Sequence, residues 1–262
     1  MAESAGTRWR DRFDGRTFVG LLLAGLVGVL AVVPYQFALT GWPAAELLPV
    51  VLAATLVQNG VLIGLSVLLG LVLGAAIGFR VYAPAVIPGA TFASKYGKAI
   101  VVGLGFGVVV ILADVLVFAP LVRDAVLGGA VLPAQPSRGE AAWLGLLASL
   151  YGGVTEELFL RFGLMSALAW VGWRLAGRPA ELPQWVAWGA ILVAALLFAV
   201  GHLGATAAVF ELTPAVLVRM IVLNGLGGVA FGWLYWRYDL VSAMVAHFAG
   251  DVVIHVLAVF LA

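Results

Sequence analysis

Long runs of apolar residues dominate this chain, separated by short segments that collect its prolines and most of its charges. A membrane-spanning helix needs roughly 20 mostly apolar residues. On that measure the pattern predicts spans near 17–39, 50–79, 98–122, 141–170, 188–210, 214–236 and 241–261. Pro43, Pro49, Pro84, Pro88, Pro133, Pro136, Pro179, Pro183 and Pro214 fall at or near the breaks. The second and fourth runs are longer than a bilayer requires, so each is expected to tilt, bend or include an interfacial helix. The expected fold is all-α, a polytopic transmembrane helix bundle of about seven spans, or eight if one long run divides. Gly70, Gly74 and Gly78 form a small-xxx-small series, as do Gly103 with Gly107 and Gly228 with Gly232. Close helix packing is the expected use of all of them.

Composition supports the same class. Of 262 residues, 64% are hydrophobic and 10% charged, and the mean hydropathy is +1.13. A soluble domain is usually about a quarter charged, so lipid must cover surface that water could not. No stretch is left for a separate soluble domain. The net charge of +1 suggests no nucleic-acid partner, and the lack of cysteine excludes disulfides, thiolate metal sites and a cysteine nucleophile.

Basic residues set the expected orientation. Residues 1–16 carry Arg8, Arg10, Arg12 and Arg16, and the apolar run after them is too long for a signal peptide, so it is read as the first span. With the N-terminus cytoplasmic, ten Lys and Arg lie on the inside and only Arg123 and Arg138 outside. The expectation is a multi-pass protein of the cell membrane: a basic cytoplasmic segment 1–16, scaffold helices over 17–139, and a chemistry-bearing part over 140–262.

That last division follows from the ionisable residues inside the spans. Each costs on the order of 3 kcal/mol on insertion scales and so needs a reason. They are Asp114, Glu156, Glu157, Arg161, His202, Arg219, His247, Asp251 and His255, and all but Asp114 lie from the fourth span onward. At about 100° per residue, Glu157 and Arg161 stand one helical turn apart and can pair. Glu156 points about 140° away from Arg161, which leaves its carboxylate free as a candidate general base. A purely structural charge cluster is the alternative. His202 follows Phe198 by four residues and has Gly201 and Gly204 beside it. It is a candidate catalyst or an interhelical hydrogen bond. His247 and Asp251 share one face of the last span. Their spacing suits an imidazole oriented by a carboxylate, two metal ligands, or a donor aimed at an oxyanion. His255, one turn further, is expected to be structural.

The order Glu-Glu-x-x-x-Arg, Phe-x-x-x-His, His-x-x-x-Asp over residues 140–261 resembles the CPBP intramembrane protease family, which includes CAAX prenyl endopeptidases and Abi-type bacteriocin-immunity proteins. The resemblance implies an intramembrane endopeptidase. Glu156 and His202 would activate water, while His247 and Asp251 would stabilise the oxyanion or position the water. Arg161 would close the first motif with Glu157. The family's third motif ends in Asn or Asp, and Asp251 would be a poor oxyanion donor unless protonated. No metal is expected to be required, because a Glu–His pair can activate water unaided. With zinc as the alternative, Glu156, His202, His247 and Asp251 would be its ligands. The implied partner is a membrane-anchored peptide or protein in the bilayer. The competing readings are a non-catalytic immunity protein of the same family and a proton-coupled transporter. One tension stands in this reading: with spans aligned centre to centre, His202 and His247 differ in depth by roughly 10 Å.

Overall fold

The computed structural model describes residues 14–82, 91–127 and 136–261. Arg8, Arg10, Arg12, Pro84, Pro88 and Pro133 lie outside the described residues. Among the described residues, seven helices are long and apolar enough to cross a membrane: α1 (Gly15–Thr40), α2 (Leu48–Gly74), α3 (Phe92–Ala125), α4 (Arg138–Leu175), α5 (Gln184–Val209), α6 (Pro214–Arg237) and α7 (Leu240–Phe260). The fold is an all-α polytopic bundle, and among the described residues there is no strand beyond an isolated bridge between Val126 and Phe210.

The helices begin where side chains can satisfy their first amides. Asp14 caps α1 by accepting from the amides of Arg16 and Thr17. The Thr17 hydroxyl and the Arg16 amide hold the Asp14 carboxyl below its ordinary pKa. Ser137 and Glu140 form a reciprocal capping box on α4, and Thr213 and Asp239 cap α6 and α7.

Helix α4 packs against α1, α2, α5, α6 and α7. Its seat on α1 is polar as well as apolar, since the buried Thr155 hydroxyl donates to the Gly25 carbonyl at 2.9 Å. In the most apolar window of each helix, 22%, 22% and 17% of residues are buried in α1, α2 and α3, against 39%, 44%, 39% and 33% in α4 to α7. Lipid therefore covers most of the first three, and the last four form the interior.

Glycines permit the closest helix approaches, with one exception. A side chain at Gly103 or Gly107 would run into the α7 backbone at Ala246 and Gly250, and one at Gly228 would meet Ala195 of α5 at 2.6 Å. Gly70 and Gly74 face Phe162 and Ser166 of α4 in the same manner. Gly78 departs from the expected packing role. It has open space around it and a φ of +89°, in the turn that ends α2. Its value lies in the left-handed backbone rather than in a helix contact.

Candidate active site

Helix α4 changes its winding where its charges lie. It is α-helical over Arg138–Leu150, then π-helical over Tyr151–Glu156 and Leu158–Met165, and α-helical again from Ser166. Such wider turns are frequent at functional sites. In an α-helix residue i+4 overshoots a full turn, and in a π-helix it falls just short, so Glu157 and Arg161 share a face in either winding. Their atoms stand 3.1 Å apart with both side chains essentially inaccessible. Arg161 Nη2 also donates to the Gly227 carbonyl of α6 at 3.3 Å, and its guanidinium lies over the Phe198 ring at 4.7 Å.

Glu157 has a second partner that local spacing did not reveal. Its Oε1 stands 2.7 Å from His247 Nδ1 on α7. A carboxylate already paired with Arg161 accepts here, so Nδ1 carries the proton and Nε2 is the edge presented to the interior. His247 is held as a plane as well, stacked on Phe231 at 4.5 Å between centroids and met edge-on by Phe198 at 5.8 Å. Its Nε2 faces Asp251 Oδ2 at 3.5 Å and Glu156 Oε2 at 3.8 Å. Both adjacent glutamates thus address one imidazole, Glu157 from behind and Glu156 from the front. Glu156 forms no hydrogen bond among the described residues, and its side chain is 19% exposed.

Glycine makes this approach between α4 and α7 feasible. A Cβ at Gly152 would collide with the Asp251 carboxylate and come within 3.1 Å of His247 Nε2, and one at Gly153 would meet Phe248. One turn further along α7, the His255 backbone presses on Gly145 and its ring meets Tyr35 edge-on.

His202 arrives from α5 at a break. The helix is regular over Gln184–Gly201, passes through His202 at φ −82°, ψ 0°, and resumes at Leu203. The His202 amide turns to the Ala199 carbonyl, which frees the Phe198 carbonyl, and His202 Nδ1 takes it at 2.9 Å. A carbonyl only accepts, so Nδ1 is the protonated nitrogen and Nε2 keeps its lone pair. Phe198 packs edge-on against both His202 (4.7 Å) and His247 (5.8 Å). The depth offset between the two histidines is therefore spanned by the motif's own Phe.

A cavity of about 660 Å³ is lined by Glu156, His202, His247 and Asp251 together. His255 and Phe198 also line it, whereas Glu157 and Arg161 lie behind the wall. Helices α1 and α3 contribute too, with Tyr35 and Asp114. The lining residues come from late in α1 and α5, from the middle of α3 and α7, and from the earlier part of α4 and α6, so the cavity runs from mid-bundle toward the end where odd helices finish. Asp114 and Arg219 form a bidentate ion pair there, at 2.6 and 2.7 Å. Both had been singled out as intramembrane charges, and their opposite signs were the available signal for a pair.

Among the described residues no three His, Asp, Glu or Cys side chains are grouped closely enough to hold a metal ion. His247 Nδ1 is bonded to Glu157 and His202 Nδ1 to a backbone carbonyl, which leaves Nε2 of each ring as its other edge.

Residues 138–253 match the model of a protein family, Rce1-like, described as type II CAAX prenyl endopeptidase. The match contains Glu156, His202, His247 and Asp251 and ends before His255. At the family level it supports a CAAX-protease-like membrane endopeptidase. A search of curated proteins and one of solved structures each returned no match. The resemblance to the CPBP proteases is thus matched over residues 138–253, a stretch of the last four helices that is similar to the Rce1-like family of type II CAAX prenyl endopeptidases, in a chain whose described residues hold seven helices long and apolar enough to cross a membrane.

Proposed function

We propose that the cavity hydrolyses a peptide bond of a membrane-anchored substrate, with water activated by Glu156 and His202. The observation that carries this is the division of labour between the two glutamates. Glu157 is spent on Arg161 and His247, while Glu156 is left without a hydrogen bond at the cavity wall. The water donates one hydrogen to Glu156 and the other to the free lone pair of His202 Nε2. As Glu156 takes the proton, the water oxygen bonds to the scissile carbonyl carbon and the carbonyl electrons move onto oxygen. His247 acts as an imidazolium among Glu157, Asp251 and Glu156: its Nδ1–H is held by Glu157, and its Nε2–H is donated to that oxyanion. Asp251, 3.5 Å from Nε2, orients this donor in place of a neutral amide. Collapse breaks the C–N bond, and the proton held on Glu156 passes to the leaving amine.

A carboxylate and an imidazole acceptor suffice for these steps, so no metal is assigned a part in them. The test is a fluorescent farnesylated peptide with a CAAX ending, presented to the purified protein in nanodiscs. Cleavage is expected, with its rate nearly unchanged after extensive dialysis against chelator. Activity lost on dialysis and restored by stoichiometric Zn²⁺ would replace this mechanism with a metal-dependent one. Failure of the protein to cut this peptide, with no peptide accumulating in membranes of a Glu156→Gln strain, would remove the endopeptidase reading.

The bias of basic residues, ten against two, favours a cytoplasmic N-terminus. The end of the bundle toward which the cavity runs is then the outer one, and the scissile bond is met on that side. Alkaline phosphatase fused to the C-terminus should be active, and fused after Arg178 it should be silent. The reverse result would turn the protein over and point the cavity toward the cytoplasm.

A further inference from the structure

We propose that two copies of this chain pair through the lipid-facing side of α2, with Gln58 of one bonded to the partner's Gln58. Three observations carry it, and none depends on the endopeptidase reading. First, Gln58 is a polar side chain on a lipid-facing surface. It is exposed, has no hydrogen bond among the described residues, and does not line the active-site cavity. It lies ten residues past Leu48 and sixteen before Gly74, about 15 and 24 Å from the two ends of α2 at 1.5 Å per residue. The helix is about 40 Å long against a hydrocarbon core of about 30 Å, so Gln58 stands inside the core wherever the excess is placed. A carboxamide there presents two N–H donors and an acceptor oxygen to lipid tails that can answer neither. Asn59 beside it donates from Nδ2 to the Thr55 carbonyl at 2.9 Å, and Gln58 makes no such local bond.

Second, the residues around Gln58 form a seam. Val51, Ala54, Gln58, Val61, Leu65 and Leu68 recur at alternating steps of three and four, which is the core repeat of a left-handed helix pair. All but the half-buried Val51 are exposed, with Val61 at 58%, Leu65 at 54% and Leu68 at 40%. The seam runs for about 26 Å along the axis, nearly the thickness of the hydrocarbon core. Within its own chain α2 uses the opposite face. Ile63 and Val67 are fully buried there, and Gly70 faces Phe162 of α4.

Third, a second copy supplies what this seam lacks. Copies inserted in one membrane share a topology, so their α2 helices run parallel. A two-fold axis along the bilayer normal then sets each seam position against itself. A carboxamide is its own complement: its N–H donates to the partner's oxygen, and the partner's N–H returns the bond. A single polar residue in an apolar seam also fixes the register, because a slip of one turn leaves both amides against apolar side chains. No α2 residue lines the active-site cavity, so each copy keeps its own.

The chain has no cysteine, so a single introduced thiol reports contact without background. Ala54→Cys and Val61→Cys on the seam are oxidised in the membranes of the expressing cells, beside Val101→Cys on α3, a position that is 69% exposed. Disulfide-linked dimers are expected at the two seam positions, with few or none at Val101. Energy transfer between donor- and acceptor-labelled copies in vesicles, followed as lipid dilutes the protein, then gives the dissociation constant of the dimer. Gln58→Leu should raise that constant about tenfold, the scale of a lost interhelical hydrogen bond in a membrane. Gln58→Asn keeps the carboxamide and should raise it less. Gln58 faces lipid, so both variants are expected to insert and melt as wild type does. Should Gln58→Leu fail to fold, the seam cross-links and the Gln58→Asn titration decide the question. A wild type that stays monomeric at every protein-to-lipid ratio overturns the pairing. So does cross-linking no greater on the seam than at Val101, or a constant unmoved by Gln58→Leu. Seam thiols that link to a different protein and never to a second copy overturn it as well.

Discussion

Replacing Glu156 with Gln should lower the rate of peptide cleavage by about 10³, within the range a positioned general base contributes, and leave the fold intact. The two effects separate because of where the carboxylate sits. Glu156 makes no hydrogen bond among the described residues and faces the cavity with His247 Nε2 at 3.8 Å. The amide keeps its shape and loses only the ability to take a proton from water. Membrane insertion and the melting temperature in detergent should match wild type, and Glu156→Ala should be equally stable or more so, since a largely buried carboxylate that accepts no hydrogen bond among the described residues is removed. Cleavage assays and thermal melts on the same preparation make the comparison. Near-wild-type turnover in Glu156→Gln would remove the proposed base, and the mechanism with it.

The second large effect is expected at Glu157, and it should be of the opposite kind. Glu157 and Arg161 are buried together, and breaking such a pair by removing one partner costs about 3–5 kcal/mol because the remaining charge is left unpaired. Glu157→Ala and Arg161→Ala should therefore express poorly and melt early. Glu157→Gln combined with Arg161→Met removes both charges and should recover part of the loss. Activity should not recover with it. Glu157 is also the acceptor for His247 Nδ1, and without it the ring is free to change tautomer and tilt. When the carboxylate that holds a catalytic histidine is neutralised, losses of up to about 10⁴ follow, and here we expect at least 100-fold. A double-mutant cycle on melting temperature, run beside the cleavage assay, reads both quantities. Stronger coupling of Arg161 to Glu156 than to Glu157 would reverse the assignment of base and structural partner.

How much of this could be read from the residues depended on distance along the chain. The Glu157–Arg161 pair was legible because it lies within one turn, where backbone geometry alone brings side chains together. The link from Glu157 to His247 joins residues 90 apart, and the Asp114–Arg219 pair joins residues 105 apart. For these the chain offered candidates of the right charge but no partner assignment. Helix boundaries show a milder form of the same limit. Helix α3 runs over Phe92–Ala125 where apolarity suggested 98–122, because Thr91 caps a polar start whose first two turns hold Ser94, Lys95 and Lys98. Hydropathy alone discounts such a polar turn. Gly78 had the spacing of a packing glycine, but it lies beyond the end of the regular helix, where its conformation matters and its neighbours do not.

The seven spans, the all-α class and the three motifs were determined by the sequence itself, since each depends on properties that act within a segment. Apolar length must match a bilayer, side-chain spacing must match a helical turn, and an ionisable group in lipid must have a use. Only the tertiary structure decided that Glu157 also holds His247, which nitrogen of each histidine faces the cavity, and which charges share it. Those outcomes depend on π-helical turns in α4, on the break at His202, and on glycines that bring α7 against α4 and α3. Each of them becomes favourable only when a neighbouring helix supplies the packing and the hydrogen bonds that repay it.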